Sequence, residues 1–147
     1  MQHIQIPTVK PILFGAVAAL AAFTVNFDDV GIASGVKKVR LKASPTEPLL
    51  LEVFAEVVTS FNAAITNVLT VGSDATANQF LAAADINEAV AGFYPAANAN
   101  FKVRLVADTD FYIKYTQTGA PATAGKAIIY LQVTPLFPAS PSTGALV

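Results

Sequence analysis

Few side chains in this 147-residue sequence could carry out chemistry of their own. The single histidine is His3 and there is no cysteine, so a Cys–His pair is impossible and a Ser–His pair would depend on one residue near the start of the chain. The sequence contains no G-x-S-x-G nucleophile elbow, no dinucleotide-binding G-x-G-x-x-G motif and no P-loop. We therefore predict that the protein is not an enzyme and that it binds no cofactor.

Two pairs of acidic residues are candidates for metal binding or acid–base catalysis, namely Asp28 with Asp29 and Asp108 with Asp110. Two neighbouring carboxylates can share a proton or hold a hard cation such as calcium. Aspartate is also common in turns, because its side chain bonds nearby backbone groups, and Asp108 lies where we predict a turn. We favour the turn, and keep Asp108 and Asp110 as the candidate metal ligands.

The composition predicts that a partner covers part of the surface. Charged residues make up 13% of the chain and hydrophobic residues 54%, whereas globular proteins usually have about 25% charged residues. A soluble monomer keeps its exposed apolar patches small, so we expect oligomerisation or docking into a larger assembly. The formal net charge of −1 provides no basic surface for a phosphate backbone, so nucleic acid is excluded as a partner.

The residues between Lys10 and Asp28 carry no charge, and residues 14–23 resemble the core of a signal peptide. The apolar run is shorter than the roughly 20 residues that a membrane span needs, and Gly15 interrupts it. We therefore predict a buried strand over residues 19–27 and no membrane partner. A secreted surface protein that keeps its signal segment is the alternative interpretation of this stretch.

Alternation of apolar with polar residues predicts an all-β protein, built as one β-sandwich or jelly-roll-like domain over residues 1–147 with at most one short helix. Residues 39–43 and 51–57 are predicted to form a hairpin, which would set Glu52 and Glu56 against a basic row. A second hairpin is predicted from 101–107 and 110–117. Further strands are predicted at 65–71, 77–82 and 126–134.

One short helix is predicted after Asp85, because Asp85 and Glu88 have the spacing of a capping box. The two ends of the chain are predicted to be extended arms, an N-terminal arm over residues 1–12 and a proline-rich C-terminal arm over residues 135–147. Such arms often lie on a neighbouring subunit, which makes Phe137 a candidate partner-binding residue.

The remaining candidate binding residues are basic or aromatic. Lys38, Arg40 and Lys42 form the basic row of one predicted strand, which is either a solvated face or a contact for an acidic partner. A set of aromatic residues could line a sugar-binding face, although aromatic residues at strand spacing are more often core or interface. This set is Tyr94, Phe111, Tyr112, Tyr115 and Tyr130.

Several segments of the chain resemble small virion structural proteins of tailed bacteriophages. The resemblance covers roughly residues 30–134 and is carried by turns and strand edges, with no match before residue 28. The segments are Val30–Val36, Val58–Ala64, Val71–Asp74, Phe80–Ala83, Ala107–Asp110, Gly119–Lys126 and Ala127–Val133.

The resemblance implies a β-sandwich on the surface of a virion, without catalytic residues. We expect a capsid decoration or cement protein that forms a closed homo-oligomer, for example a trimer, and that stabilises the head by binding the major capsid protein. A tail or tail-fibre component that binds a receptor or glycan is the alternative.

Overall fold

The computed structural model describes residues 11–12, 19–29, 36–74, 78–95 and 102–136. These residues form nine strands and one short 3-10 helix, Ala83–Asp85, so the predicted all-β class is confirmed. The strands are β1 (Pro11–Ile12), β2 (Ala19–Asn26), β3 (Val36–Leu41), β4 (Leu49–Thr59), β5 (Thr66–Gly72), β6 (Gly92–Pro95), β7 (Lys102–Leu105), β8 (Thr109–Thr118) and β9 (Lys126–Pro135). In this part of the chain, no helix is long and apolar enough to cross a membrane.

The strands form two sheets. Sheet A has the order β1-β3-β8-β5, and sheet B has the order β2-β9-β4-β6, with β7 pairing beside β6 on the same edge of β4. Every pairing is antiparallel except β1 with β3. β4 and β9 form the longest ladder, and it is shifted by a bulge between Val57 and Thr59.

The core lies between the two sheets and follows directly from the alternation in the sequence. Alternate residues of a strand point to opposite faces, so each sheet buries every second side chain against the other sheet. Sheet B contributes Phe23, Val25 and the odd positions of β4 and β9, and sheet A contributes Leu69, Phe111, Ile113 and Tyr115. The predicted strands at 19–27, 65–71 and 126–134 are therefore confirmed.

Both predicted hairpins are wrong. β3 and β4 follow each other in sequence but lie in opposite sheets, so Glu52 and Glu56 do not face the basic row. β7 and β8 are separated in the same way: β7 pairs with β4 in sheet B, while β8 pairs with β3 and β5 in sheet A. Alternation indicates which residues are buried, but it carries no information about which strand is the neighbour.

The predicted helix after Asp85 is also wrong. Asp85 bonds the N–H of Ala82 at 2.8 Å and closes a 3-10 turn, while Glu88 turns inward instead of capping a helix. In the predicted strand at 77–82, the described pairing is a single bridge between Leu81 and Val71. Residues 1–10 and 137–147 lie outside the described residues, and Pro135 is the last residue of β9.

Candidate interaction surface

The outer face of sheet A is polar and carries two ion pairs. Arg40 on β3 lies opposite Asp110 on β8, and its Nε is 2.7 Å from the Oδ1 of Asp110. The Nζ of Lys42 is 3.0 Å from the Oδ2 of Asp108, whose other oxygen accepts a 3.1 Å bond from the N–H of Ala43. Two of the three residues of the predicted basic row therefore face carboxylates of their own chain.

These contacts explain the electrostatics of the candidate metal ligands. The hydrogen bond from Lys42, followed by that from the backbone of Ala43, holds the pKa of Asp108 below its usual range. Asp110 raises the pKa of Arg40, first through their hydrogen bond and then through its charge. In the described ranges, no three His, Cys, Asp or Glu residues lie close enough together to hold a metal ion.

The other acidic pair belongs to a turn. The Oδ2 of Asp29 accepts a 3.1 Å hydrogen bond from the N–H of Asn26, and its own N–H donates to the carbonyl of Asn26 at 3.3 Å. Asp28 is exposed at the same turn. Of the other candidate partner-binding residues, Phe137 lies outside the described residues, as does the side chain of Lys38.

The candidate aromatic residues do not form one sugar-binding face. Phe111 and Tyr115 are fully buried core residues, Tyr112 lies on the outer side of sheet A, and Tyr130 lies on the outer side of sheet B. Tyr94 is half-buried against the core, and its hydroxyl donates to the carbonyl of Val90 at 2.8 Å.

Four polar residues, which we call the buried polar cluster, lie together at one end of the sandwich: Glu88 and Tyr115 are buried, and Asn67 and Gln117 are partly buried. The hydroxyl of Tyr115 is 2.9 Å from the Oδ1 of Asn67 and 3.2 Å from the Oε1 of Gln117. Burial raises the pKa of Tyr115 to about 12, and the nearby charge of Glu88 adds to the effect. Burial likewise raises the pKa of Glu88, which is only 7% exposed.

The contacts within this cluster are structural. The Oε1 of Glu88 accepts a 2.6 Å bond from the N–H of Leu69. Asn67 and Gln117 also accept bonds from the backbone N–H groups of Ala63 and Ala122. Each of these acceptors therefore satisfies a backbone donor, and the cluster fastens loops to the end of the core.

The outer face of sheet B differs from that of sheet A because most of its central positions are apolar. We call this surface the apolar face; its members are Leu20, Ala22, Phe54, Phe93, Ile128 and Tyr130. Ala22, Tyr130 and Phe54 lie side by side across β2, β9 and β4. Leu20 is 56% exposed and Phe93 is 59% exposed.

Aromatic contacts and one hydrogen bond order the apolar face. The rings of Phe54 and Phe93 have centroids 5.8 Å apart and are tilted by 39°. The hydroxyl of Tyr130 donates a 2.8 Å bond to the Oε2 of Glu56, which raises the pKa of Tyr130. The carboxylate of Glu56, which lies in the middle of the apolar face, therefore has a hydrogen-bond partner from its own chain.

Sequence reasoning did not single out the apolar face. Phe54 was visible as an apolar residue at an outward position of a predicted strand, and that is the signal that could have found it. Phe93 and Ile128 become its neighbours only through the pairings of β4 with β6 and β9. The sequence predictions contained neither pairing.

Comparison with known proteins provides little evidence about the function of this surface. No protein-family model matches the chain, and no curated protein matches it. Among solved structures, the chain is similar to a periplasmic inhibitor of g-type lysozyme, PliG from Aeromonas hydrophila. The two share 17% identity with a TM-score of 0.36, and the match covers 85% of this chain and 93% of PliG.

This comparison corrects the functional prediction. The predicted capsid decoration or cement function, with its tail-fibre alternative, required a virion protein, and the similar structure is instead a periplasmic inhibitor. The predicted function and the capsid and bacteriophage terms attached to it are therefore wrong. The similar protein is an inhibitor and not an enzyme, but the likeness is too low to assign its activity to this chain.

Proposed function

We propose that this chain is a non-catalytic structural protein that works by assembling with further copies of itself. The observation that carries the proposal is the difference between the two outer faces of the sandwich. Sheet A exposes paired charges such as Arg40 with Asp110, whereas sheet B exposes a contiguous aromatic and aliphatic surface. Contiguous exposed apolar patches of this kind are typical of contact surfaces.

The surroundings of the apolar face suit a protein partner. Its centre holds Phe54, Tyr130 and Ile128, together with Glu56, whose carboxylate accepts the hydrogen bond of Tyr130, while its margins carry Glu52 and Lys126. An apolar centre with a polar rim is the usual anatomy of a protein–protein interface.

The charges of the chain are compatible with a second copy binding the apolar face. The whole chain has a formal net charge of −1, so two copies barely repel each other. The rim carries both signs, with Glu52 and Lys126 at different margins of the face. A two-fold axis can therefore set an acidic position of one copy against a basic position of the other.

Sedimentation velocity over a range of concentrations tests the proposal. We expect wild-type protein to associate, and Phe93→Ser to weaken association about 10- to 100-fold, since burying a phenylalanine contributes about 1.5–3 kcal/mol. Ile65→Ser is the matched control, because Ile65 is 73% exposed and lies beside the end of sheet A.

Both variants change exposed residues, so both should fold, which circular dichroism can verify. A wild-type chain that stays monomeric at every concentration would contradict the proposal. Equal losses of association in Phe93→Ser and Ile65→Ser would contradict it as well, because the effect would then reflect general surface hydrophobicity.

A further inference from the structure

We infer that contact between copies at the apolar face is coupled to protonation: Glu56, in the middle of that face, takes up a proton when two copies associate, so acidic pH strengthens the assembly. The inference rests on the proposed self-assembly and names how that contact is regulated. It depends on the surroundings of one side chain, and not on the order in which the two copies align.

Apolar side chains surround Glu56 on the outer face of sheet B. Across the strands it lies opposite Phe93 on β6 and Ile128 on β9. Along β4, Phe54 lies two residues before it and points to the same side of the sheet. Any partner that covers these three apolar residues therefore covers the carboxylate as well.

Within its own chain Glu56 has one hydrogen-bond donor and no cation. The hydroxyl of Tyr130 donates to its Oε2 at 2.8 Å, and none of the ion pairs between described residues includes Glu56. A carboxylate has room for about four hydrogen bonds, so water serves the remaining positions while the face is open. Contact with a second copy removes that water.

Few other charged or titratable groups lie on this side of sheet B. Among the described residues they are Glu52 on β4, Lys102 and Arg104 on β7, and Lys126 and Tyr130 on β9. β2 carries no charged residue, and Tyr94, the titratable residue of β6, packs against the core.

Of these groups, the two glutamates are the ones that can change charge between pH 7.5 and pH 5.0. Tyrosine, lysine and arginine ordinarily titrate well above this range, and the hydrogen bond to Glu56 raises the pKa of Tyr130 further. Glu52 lies opposite Lys102 at the margin of the face, where water still reaches it in a complex. Glu56 is therefore the acid whose surroundings change most when the face is covered.

A covered apolar face favours the neutral form of Glu56. Moving an ionised carboxylate out of water without a cation is costly, and binding a proton lowers that cost. The protonated acid keeps an oxygen that accepts the bond from Tyr130, and its new O–H can itself donate. Since association favours the protonated form, lower pH must in turn favour association.

Sedimentation velocity at pH 7.5 and pH 5.0, at constant ionic strength, tests the inference. We expect the dissociation constant of the wild type to fall about tenfold or more at pH 5.0, because each dimer contains two copies of Glu56. Glu56→Gln is neutral at both pH values. It should associate at pH 7.5 as tightly as the wild type does at pH 5.0, and its association should not depend on pH.

Two matched variants control for other effects of acid. Glu52→Gln removes the same charge from the margin of the face, and it should keep the pH dependence of the wild type. Glu88→Gln should keep it as well, because Glu88 is buried inside the sandwich and not on the apolar face. Loss of the pH dependence in either control would contradict the role of Glu56.

Proton uptake can also be measured directly on the unmodified protein. Heats of dilution at pH 6.0, in two buffers with different ionisation enthalpies, give the number of protons bound on association. We expect net uptake by the wild type, of at most two protons per dimer from its two Glu56 side chains, and none by Glu56→Gln. Net release of protons by the wild type would overturn the inference.

The outcomes separate this inference from the proposed function. Wild-type association that is equally strong at both pH values would overturn the role of Glu56 and leave the apolar-face contact standing. Weaker association of Glu56→Gln at pH 7.5 would do the same, because a cation of the second copy would then pair with the carboxylate. A wild type and a Glu56→Gln variant that are monomeric at both pH values would overturn both proposals.

Discussion

The carboxylate of Glu88 accepts a 2.6 Å hydrogen bond from the backbone N–H of Leu69, 19 residues earlier in the chain. The backbone carbonyl of Glu88 also accepts a 2.9 Å bond from the N–H of Phe61. Glu88, which lies outside the described strands, therefore hydrogen-bonds both the edge of β5 and the loop before β5. This buried acid, only 7% exposed, makes the stability of the fold depend on pH.

We predict that stability falls as pH rises through the titration of Glu88. Burial raises the pKa of Glu88 in the folded protein above its ordinary value of 4.5, so the folded state holds the proton more tightly than the unfolded state. The resulting contribution to stability is complete below pH 4.5 and is lost as pH rises through the raised pKa. Glu88→Gln should remove this slope, as measured by urea unfolding at a series of pH values.

Glu88→Ala separates the charge of Glu88 from its hydrogen bond. The glutamine variant keeps an acceptor for the N–H of Leu69, whereas the alanine variant leaves that buried donor without one, at a cost of about 1–3 kcal/mol. Glu88→Ala should therefore be less stable than Glu88→Gln by this amount at every pH. The difference in stability between wild type and Glu88→Gln should instead change with pH, because only the wild type carries the titrating carboxyl. A constant difference would show that Glu88 does not titrate in this range.

Tyr115→Phe tests the buried polar cluster. The lost hydroxyl bonds Asn67 and Gln117, but both of those side chains keep a backbone donor, so we expect a cost of only about 0.5–1.5 kcal/mol. The control is Tyr94→Phe, whose hydroxyl makes an exposed bond. A loss in the control as large as in Tyr115→Phe would contradict the assigned role of burial.

The same substitution has an alkaline signature. Burial raises the pKa of Tyr115 from 10.0 to about 12, so its contribution to stability is complete below pH 10 and is lost as pH rises towards 12. Absorbance titration of phenolate should show one late-titrating tyrosine fewer in Tyr115→Phe than in wild type, while Tyr130, whose pKa is raised by its hydrogen bond to Glu56, titrates late in both. An unchanged number of late-titrating tyrosines in the variant would show that Tyr115 is not one of them.

The strands of this fold were predictable, but their neighbours were not. Alternation at Phe23, Val25 and along β9 marks buried positions, because the period of two is a local property of the chain. Whether β3 pairs with β4 or with β8 depends on packing between residues far apart in sequence, and proximity in sequence suggested the wrong hairpin.

The contacts of the apolar face and of Glu88 were likewise not predictable from the sequence, because they depend on which strands are neighbours. Phe54 could be recognised as an apolar residue at an outward position, but Phe93 reaches it only through the pairing of β6 with β4. Glu88 has the spacing of a helix cap in the sequence. Its actual partner, the N–H of Leu69, is defined only once β5 lies beside it.

Gly125→Ala should be among the most destabilising single changes in the chain. Gly125 has a φ of +149°, and an added Cβ would lie 2.6 Å from the Cγ of Phe61, a core residue. We expect a loss of about 1–3 kcal/mol or more from overpacking and backbone strain, measured by thermal or urea unfolding. At Gly92 the nearest atom to an added Cβ is 3.7 Å away, so Gly92→Ala is the control, expected within about 0.5 kcal/mol of wild type.

Calcium should not stabilise the protein through Asp108 and Asp110. Both carboxylates already face cations of the chain, Lys42 at 3.0 Å and Arg40 at 2.7 Å, and Asp108 also binds the N–H of Ala43. A calcium ion usually takes six to eight oxygen ligands, and it would have to displace both ion pairs to bind here. Millimolar calcium should therefore leave the melting temperature unchanged. A rise in melting temperature that disappears in Asp108→Asn would show that the ion competes with Lys42 and would make this turn a metal site.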